Sequence, residues 1–251
     1  VLSNVDKYIV KAKATAGAVN VEKTLYFVRR KATVGDDNFP TYAQYPTAIN
    51  FPKIGLNYSP TNNREVTLVL RAPLKDKVYV VGDFNNWEID PAYQMKRTIL
   101  TAFPNNNDFY WVTFEVPVAG TEYAYQFAVY DALEASIRVA DPYAQLILDP
   151  NDDQYLTTVY PNLKAYPSGK ATGRVSVLQT NQTPYAWSAA TTNFVKPIKE
   201  NLVIYELWVY DFSPTRDFQG VIDKLDYLQG LGINTIELMP IMEYSGNISW
   251  G

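Results

Sequence analysis

The sequence predicts a mainly β protein in which a β-sandwich precedes a strand–helix–strand unit with parallel strands. Two observations support this prediction. Between residues 64 and 160, short runs rich in β-branched and aromatic residues alternate with turn clusters, as is typical of a sandwich. After residue 201, two apolar runs of strand length enclose a stretch with helical spacing of apolar residues, which is the pattern of a parallel β-α-β unit.

The chain begins with two strand-like runs. Lys7 to Ala14 alternates apolar residues with lysines, and Thr24 to Val28 is again extended in character. A lone hairpin is marginally stable in water, so residues 1–32 are predicted to be the end of a preceding β-sandwich domain. Residues 33–63 are rich in proline, glycine and asparagine and are predicted to be a linker.

Residues 64–160 form the predicted sandwich, and residues 161–200 the predicted connector. The strand signals in the sandwich are Glu65–Arg71, Lys77–Val81, Phe109–Val116, Glu122–Val129 and Ser136–Val139. The connector holds four prolines and little periodicity, which indicates irregular structure lying along the next domain.

Residues 201–251 are predicted to form a β-α-β unit. Leu202 to Val209 is mostly apolar, as expected for a parallel strand that is buried on both faces. Apolar residues then recur at helical spacing from Phe218 to Leu231, which predicts one amphipathic helix. Thr235 to Met239 resumes an extended pattern that stops at Pro240.

Composition limits the chemistry. The 251 residues include no cysteine and no histidine, which excludes Cys-His and Ser-His catalysis and zinc sites with nitrogen or sulfur ligands.

A net charge of -4 without a long basic run argues against binding of nucleic acid and against a polybasic membrane-binding patch. No segment approaches the ~20 apolar residues of a transmembrane helix, and the first residues lack a signal-peptide pattern. We expect an uncharged partner and a sequence cut from a longer chain.

An ordered series of motifs in the last fifth of the chain carries a family resemblance. These motifs are Tyr205-Glu206, Asp211-Phe212-Ser213, Lys224–Leu228, Leu231-Gly232-Ile233 and Glu237–Pro240, followed by Ser249-Trp250-Gly251. The series resembles the opening of the catalytic barrel of the α-amylase superfamily. The resemblance implies a (β/α)₈ TIM barrel acting on α-linked glucans, of which only the first strand, first helix and second strand are present.

A second group of motifs resembles the immunoglobulin-like module that precedes branching-enzyme, isoamylase and pullulanase barrels. It consists of Gly82–Trp87, Gly120–Phe127 and Asp141-Pro142-Tyr143. Some relatives of that module bind glycogen, and module followed by barrel is the order that such enzymes show. The resemblance therefore implies a secreted bacterial enzyme similar to α-amylase or pullulanase, with an extracellular or cell-surface location.

No catalytic residue is carried over by the resemblance. The superfamily is retaining and needs two carboxylates ~5 Å apart, and its catalytic motifs belong to later barrel strands that do not occur before Gly251. We therefore expect the chain itself to be inactive. Four carboxylates in or near strands, Glu206, Asp211, Glu237 and Glu243, are predicted to be structural. Trp208 and Tyr210 stand where relatives commonly have His or Leu and then Arg.

No cofactor and no metal site are expected in this chain. The acidic turn of residues 149–153 lacks the ligand spacing of a defined calcium loop and is predicted to be a solvated turn. The resemblance leaves calcium open for the complete enzyme.

Sugar binding in the sandwich would need exposed aromatic rings, because a pyranose stacks its flat apolar face on indole or phenol. Trp87 with Asn85 and Asn86 is the first candidate. Trp111 is the second, since it alternates away from the apolar residues of its strand. The resemblance weakens the case at two places: glycogen-binding relatives have Lys where Gln126 stands, and a second Trp near Ile137 or Arg138.

Two functions from different classes remain open. The first is the N-terminal fragment of a starch- or glycogen-active α-glucan hydrolase without its catalytic carboxylates. The alternative is a non-catalytic α-glucan-binding or scaffold module. In both cases the partner is an α-glucan such as starch, glycogen or maltodextrin. The apolar faces of the partial barrel also leave self-association open.

Overall fold

The computed structural model describes residues 7–17, 19–28, 53–73, 75–99, 108–131, 136–242 and 246. The chain divides into two compact units. The first contains the chain up to Leu148 together with Tyr166–Gln182, and the second contains Asp149–Ala165 and the chain from Thr183 onward.

The first unit begins with an antiparallel hairpin. Its strands are β1, Lys7–Ala16, and β2, Val19–Val28. Gly17 lies in the connecting turn with φ 61°, a left-handed conformation that glycine adopts without steric cost. Both predicted strand runs are confirmed and extended. Their assignment to a preceding sandwich domain stays a prediction.

Nine further strands among the described residues of the first unit form two antiparallel sheets. In chain order they are β3 Gly55–Tyr58, β4 Glu65–Arg71, β5 Lys77–Gly82, β6 Lys96–Ile99, β7 Asp108–Glu115, β8 Glu122–Tyr130, β9 Ser136–Val139, β10 Leu146–Leu148 and β11 Val175–Gln179. The first sheet has the order β3-β4-β7-β6. The second has the order β10-β11-β8-β5, and β9 also pairs with β8.

The two sheets share one hydrophobic core because alternate residues of their strands point to the same side. Strand β4 contributes Val66, Leu68 and Leu70 to this core. The facing side chains of β8 are Tyr123, Tyr125, Phe127 and Val129. Val69, which lies between Leu68 and Leu70 in β4, points to the other face of the sheet. It belongs to a second, smaller cluster there.

The predicted strands are confirmed, and the two sheets also include strands outside the predicted limits of the sandwich. Strand β3 lies in the predicted linker and pairs with β4. Strand β11 lies in the predicted connector and pairs with β8 and β10. Residues 149–160 belong to the second unit. Strand β11 has only five residues, which is too short for a clear periodic pattern in the sequence. Its pairing with β8, about fifty residues earlier in the chain, is a long-range contact that no local pattern records. Most of the predicted linker, residues 33–52, lies outside the described residues.

The described part of the second unit contains a short helix followed by two parallel strands with three helices between them. These elements are α1 Ala189–Thr192, β12 Ile204–Leu207, α2 Val209–Phe212, α3 Phe218–Ile222, α4 Leu225–Gly230 and β13 Thr235–Leu238. Strands β12 and β13 pair in parallel, with Ile204 opposite Thr235 and Leu207 opposite Leu238. A small cluster of Leu207, Val209, Val221 and Leu228 packs between strands and helices. The predicted strand–helix–strand order is therefore confirmed.

The predicted single helix is instead two short ones. Asp217 caps α3 by accepting a hydrogen bond from the Gly220 N–H at 2.8 Å. At the break, the Lys224 N–H donates to the Val221 carbonyl three residues back, at 3.0 Å, which is the tighter bonding of a 3₁₀ turn. Helix α2 begins at Val209, so strand β12 ends at Leu207, two residues earlier than predicted. Apolar spacing alone does not reveal such a break, because both short helices keep the same periodicity.

In the described part of the chain, no helix has the length and apolar character that crossing a membrane would require.

A buried polar network joins the second sheet to the segment that follows β9. The Tyr125 hydroxyl donates to Asp141 Oδ2 at 2.8 Å, and the Tyr143 N–H donates to Asp141 Oδ1 at 2.9 Å. The Asp141 N–H donates to Ser176 Oγ at 2.7 Å. Burial raises the pKa of Asp141 above 3.8, although the two hydrogen bonds that it accepts oppose the shift. Ionised Asp141 therefore costs stability in the folded state.

Asp141→Asn is expected to change the pH dependence of stability. Because the folded pKa of Asp141 is raised, its stabilising contribution is complete below its unfolded pKa and is lost as pH rises through the folded pKa. The free energy of unfolding of the wild type minus that of Asp141→Asn should fall from pH 3.8 upward and then level off. Urea denaturation at a series of pH values measures this difference. A difference that does not change with pH would contradict the raised pKa.

Candidate functional site

The turn after β5 contains three of the four predicted sugar-binding residues. Strand β5 ends at Gly82, a 3₁₀ turn covers Asp83–Asn85, and Asn86 and Trp87 both have positive φ, 53° and 63°. Asn85 holds the turn closed: its Oδ1 accepts from the Gly82 N–H at 2.8 Å, and its Nδ2 donates to the Val80 carbonyl at 3.0 Å. The amide of Asn85 is therefore used within the protein.

Trp87 is packed inside the first unit. Only 6% of its surface is exposed, and its Nε1 donates to Asp83 Oδ1 at 2.9 Å. The other carboxylate oxygen of Asp83 accepts from the Ala124 N–H of β8 at 2.9 Å. Asp83 thus connects the indole to the neighbouring strand. Sequence reasoning did not single out this residue, although an acidic residue four positions before a tryptophan in a tight turn is the available signal.

Trp111 lies on the outer face of the first sheet, as its alternation predicts, yet it is also buried. It packs with Val69 and Phe109, with 5% of its surface exposed. Its Nε1 donates to Thr98 Oγ1 at 3.1 Å, and Lys96 Nζ lies 4.7 Å from the ring centroid, within cation–π range.

Sugar stacking requires a free ring face, and neither indole offers one in this structure. Trp87 follows a strand of the second sheet, whereas Trp111 belongs to the first sheet and packs with Val69 and Phe109. Glucan binding by Trp87, Asn85, Asn86 and Trp111 stays a prediction, and the contacts found for them stabilise the fold.

Two of the four strand-associated carboxylates of the second unit lie side by side. Glu206 and Glu237 are opposite each other in the parallel pair β12–β13, and both are exposed. Asp211 is exposed in α2, and Glu243 lies outside the described residues. In the described part of the chain, no group of three or more acidic residues is arranged to hold a metal ion.

An aromatic stack lies at the carboxyl end of β12. The rings of Trp208 and Tyr210 are stacked with centroids 5.3 Å apart and an interplanar angle of 28°. The Arg216 guanidinium lies 4.6 Å from the Tyr210 ring centroid and donates to the Tyr210 hydroxyl at 2.7 Å. Arg216 has φ 57°, a left-handed conformation that is costly for a residue with a Cβ. The loop after β12 therefore places a cation on an aromatic surface.

Comparisons with known proteins find similarity to enzymes whose names indicate action on α-glucans. No protein-family model matches the chain. Malto-oligosyltrehalose trehalohydrolase of Saccharolobus solfataricus is 36% identical over 116 residues, covering 46% of this chain and 19% of the relative. A 1,4-alpha-glucan branching enzyme of Clostridium perfringens is 29% identical over 205 residues, covering 76% of this chain and 26% of the relative.

A solved structure supports the same fold. The Group B Streptococcus pullulanase, crystallised with maltotetraose, matches with a TM-score of 0.51 and 18% identity, covering 78% of this chain and 24% of that one. This chain is similar to the N-terminal region of α-amylase superfamily glycoside hydrolases. It spans about a fifth to a quarter of the length of these three proteins.

Two departures from the pattern of glycogen-binding members have a structural explanation. Gln126, where those members have Lys, is fully buried, and its Nε2 donates to the carbonyls of Thr172 and Arg174 at 2.8 and 2.7 Å. Ile137, near the place of their second Trp, has 60% of its surface exposed. Gln126 therefore connects β8 to the segment that contains Thr172 and Arg174. At position 137, strand β9 exposes an aliphatic side chain.

A third departure that the resemblance implies lies in the second unit. Tyr210 stands where superfamily members commonly have Arg, and the Arg216 guanidinium covers that tyrosine from six residues away. A positive charge is therefore present beside position 210 despite the substitution.

The acidic turn of the second unit is held by internal hydrogen bonds. Asp149 Oδ1 accepts from the Asn151 N–H at 2.9 Å, and Asp153 Oδ1 accepts from the Asp149 N–H at 2.9 Å. Asp152 Oδ1 accepts from the Gly246 N–H at 3.1 Å. Burial raises the pKa of Asp153, with contributions from Asp149 and Asp152. Three carboxylates thus bind backbone donors of the second unit.

Trp87→Ala is expected to lower the free energy of unfolding by about 3–5 kcal/mol, because it removes a buried indole. Trp87→Phe keeps a ring but removes the donor to Asp83, and should cost about 1–3 kcal/mol. Urea denaturation measures both. Trp187→Ala is the matched control, since that indole is exposed and its loss should change stability by no more than about 0.5 kcal/mol. A Trp87→Ala variant as stable as this control would show that Trp87 is not part of the core.

Arg216→Gly is expected to be more stable than Arg216→Ala by roughly 1 kcal/mol. Both variants lose the contact with Tyr210, but only glycine relieves the left-handed backbone at this position. Denaturation midpoints measured by circular dichroism compare the two proteins. Equal midpoints would mean that the backbone at position 216 is not strained.

Proposed function

We propose that this chain is the N-terminal part of an α-glucan-active glycoside hydrolase of the α-amylase type, with the catalytic carboxylates supplied by later strands. The observation that carries the proposal is the order of the two units. A β-rich unit of two antiparallel sheets is followed in the same chain by a parallel strand–helix–strand unit. The similarity to a branching enzyme extends over 76% of the chain, so it is not limited to one short motif.

The finer architecture belongs to this proposal. The β-rich unit is an immunoglobulin-like module, which is supported by the single core shared between its two sheets. Strands β12 and β13 with the helices between them are the start of a (β/α)₈ barrel, which is supported by their parallel pairing. In such a barrel the stack of Trp208, Tyr210 and Arg216 would lie at the face that carries active sites.

The second unit has apolar surface that a complete barrel would cover. The exposed side chains on its strands and helices include Ile204, Phe218, Ile222, Leu225 and Leu231. A cleft of ≈ 500 Å³ lies beside α4 and β13, lined mainly by apolar residues. This surface supports packing by further barrel elements. Self-association of the 251-residue chain through the same surface is part of the proposal.

Retaining hydrolysis uses a nucleophile and an acid/base that lie ~5 Å apart on either side of the scissile bond. Glu206 and Glu237 are adjacent but belong to the first two strands, whereas the superfamily's catalytic motifs belong to later ones. The proposal therefore assigns no catalytic role to any residue of this chain. Secretion, a cell-surface location and a calcium site in the complete enzyme are further parts of the proposal.

The 251-residue chain is expected to release no reducing sugar from glycogen or amylopectin. The complete protein that contains it is expected to do so, because two barrel strands cannot supply the catalytic pair. A reducing-sugar assay on both proteins tests this, with cellulose as the β-linked control substrate. Release of sugar by the short chain would place catalytic carboxylates within it. A complete protein that is inactive on every α-glucan tested would favour the alternative of a non-catalytic binding or scaffold module.

A further inference from the structure

The predicted connector contains the most exposed indole of the described residues. Three of the four described tryptophans, at positions 87, 111 and 208, are buried or half-buried. Trp187 has 67% of its surface exposed, and Tyr185 has 76%. Single exposed aromatic side chains are common, but two that lie together with most of their surface in water form an exposed apolar patch, and such patches can mark binding surfaces.

The two rings form a defined pair. Their centroids are 4.8 Å apart, and the ring planes meet at 69°. The backbone on both sides restricts their movement. Pro184 fixes its own φ and restricts Thr183 before it. Ser188, directly after Trp187, caps α1 by accepting from the Thr191 N–H at 3.2 Å. Because the side chains are two residues apart on a held segment, the pair is available before any ligand arrives.

The segment that carries the pair, residues 183–195, is uncharged and mixes polar with apolar side chains, among them exposed Phe194 and Val195. Residues 183–195 contain no Asp, Glu, Lys or Arg, and all of them are exposed. The polar side chains of this segment are hydroxyls and an amide, from Thr183, Ser188, Thr191, Thr192 and Asn193. Nucleic acid and anionic lipid would find no complementary charge here. A neutral ligand with flat apolar faces and hydroxyl groups at its edges fits this surface.

We propose that Tyr185 and Trp187 form a binding site for an α-glucan chain, separate from any catalytic centre. This inference rests on the proposed function for the choice of sugar. Two ring faces inclined at 69° can contact two successive glucose units only if those units turn relative to each other. An α-1,4-linked chain curves in this way, whereas a β-1,4-linked chain is flat. The site therefore favours starch-like glucans over cellulose.

Affinity electrophoresis of the 251-residue chain in amylopectin gels tests the site. The wild type should be retarded, and Trp187→Ala and Tyr185→Ala should each weaken binding about tenfold, the loss of one aromatic contact. Hydroxyethyl cellulose gels should not retard the wild type. Tyr227→Ala, which removes an exposed tyrosine of helix α4 in the same unit, is the matched control and should migrate like the wild type. Circular dichroism verifies that each variant is folded.

Three outcomes would overturn the inference. Retardation that is equal in Trp187→Ala and wild type would place glucan binding elsewhere and leave the proposed function intact. A wild type that amylopectin does not retard would show that the pair binds no glucan. Dimerisation in sedimentation velocity that Trp187→Ala abolishes, without retardation, would make the pair a protein contact. Retardation that depends on Trp187, combined with a complete protein that is inactive on α-glucans, would retain this site and refute only the proposed function.

Discussion

Strand β8 is the element on which the first unit depends, because it pairs with three other strands, β5, β9 and β11. Its inward side chains, including Tyr125 and Phe127, fill the core that the two sheets share. Between them, Gln126 points the other way and binds the carbonyls of Thr172 and Arg174. This contact holds the returning segment beside β8, where β11 completes the sheet. One strand therefore organises both the core and the long-range closure of the unit.

Strand β8 also carries one of the positions at which the resemblance implies a departure from glycogen-binding modules, Gln126. A buried glutamine satisfies two backbone carbonyls that an ammonium group would reach only at a high desolvation cost. With glutamine at position 126, this face of the sheet does not have the lysine that the resemblance implies for glycogen-binding modules. Ile137 on the edge strand offers no aromatic surface either. The Tyr185–Trp187 pair, in a different segment of the chain, is an exposed aromatic pair among the described residues.

Local sequence patterns do not distinguish a sugar-stacking tryptophan from a buried one, as Trp87 and Trp111 show. A tryptophan in an asparagine-rich turn, or on the polar face of a strand, has the same sequence signature whether it stacks on a sugar or packs on the protein. The outcome depends on partners that are distant in the chain. Asp83 links the Trp87 indole to Ala124, and Lys96 and Thr98 hold Trp111 from a neighbouring strand. None of these contacts is visible in the periodicity of either segment.

The sequence by itself determined the regular strands, the parallel β12–β13 pair and the absence of cysteine and histidine chemistry. These properties follow from side-chain alternation, from unbroken apolar runs and from composition, all of which are local. Only the tertiary structure decided that β3 and β11 join the sheets, that the helix after β12 is broken at Lys224, and that Trp187 is exposed while Trp87 and Trp111 are buried. Burial and sheet membership depend on which distant segments cover a residue, and a single sequence does not record that coverage.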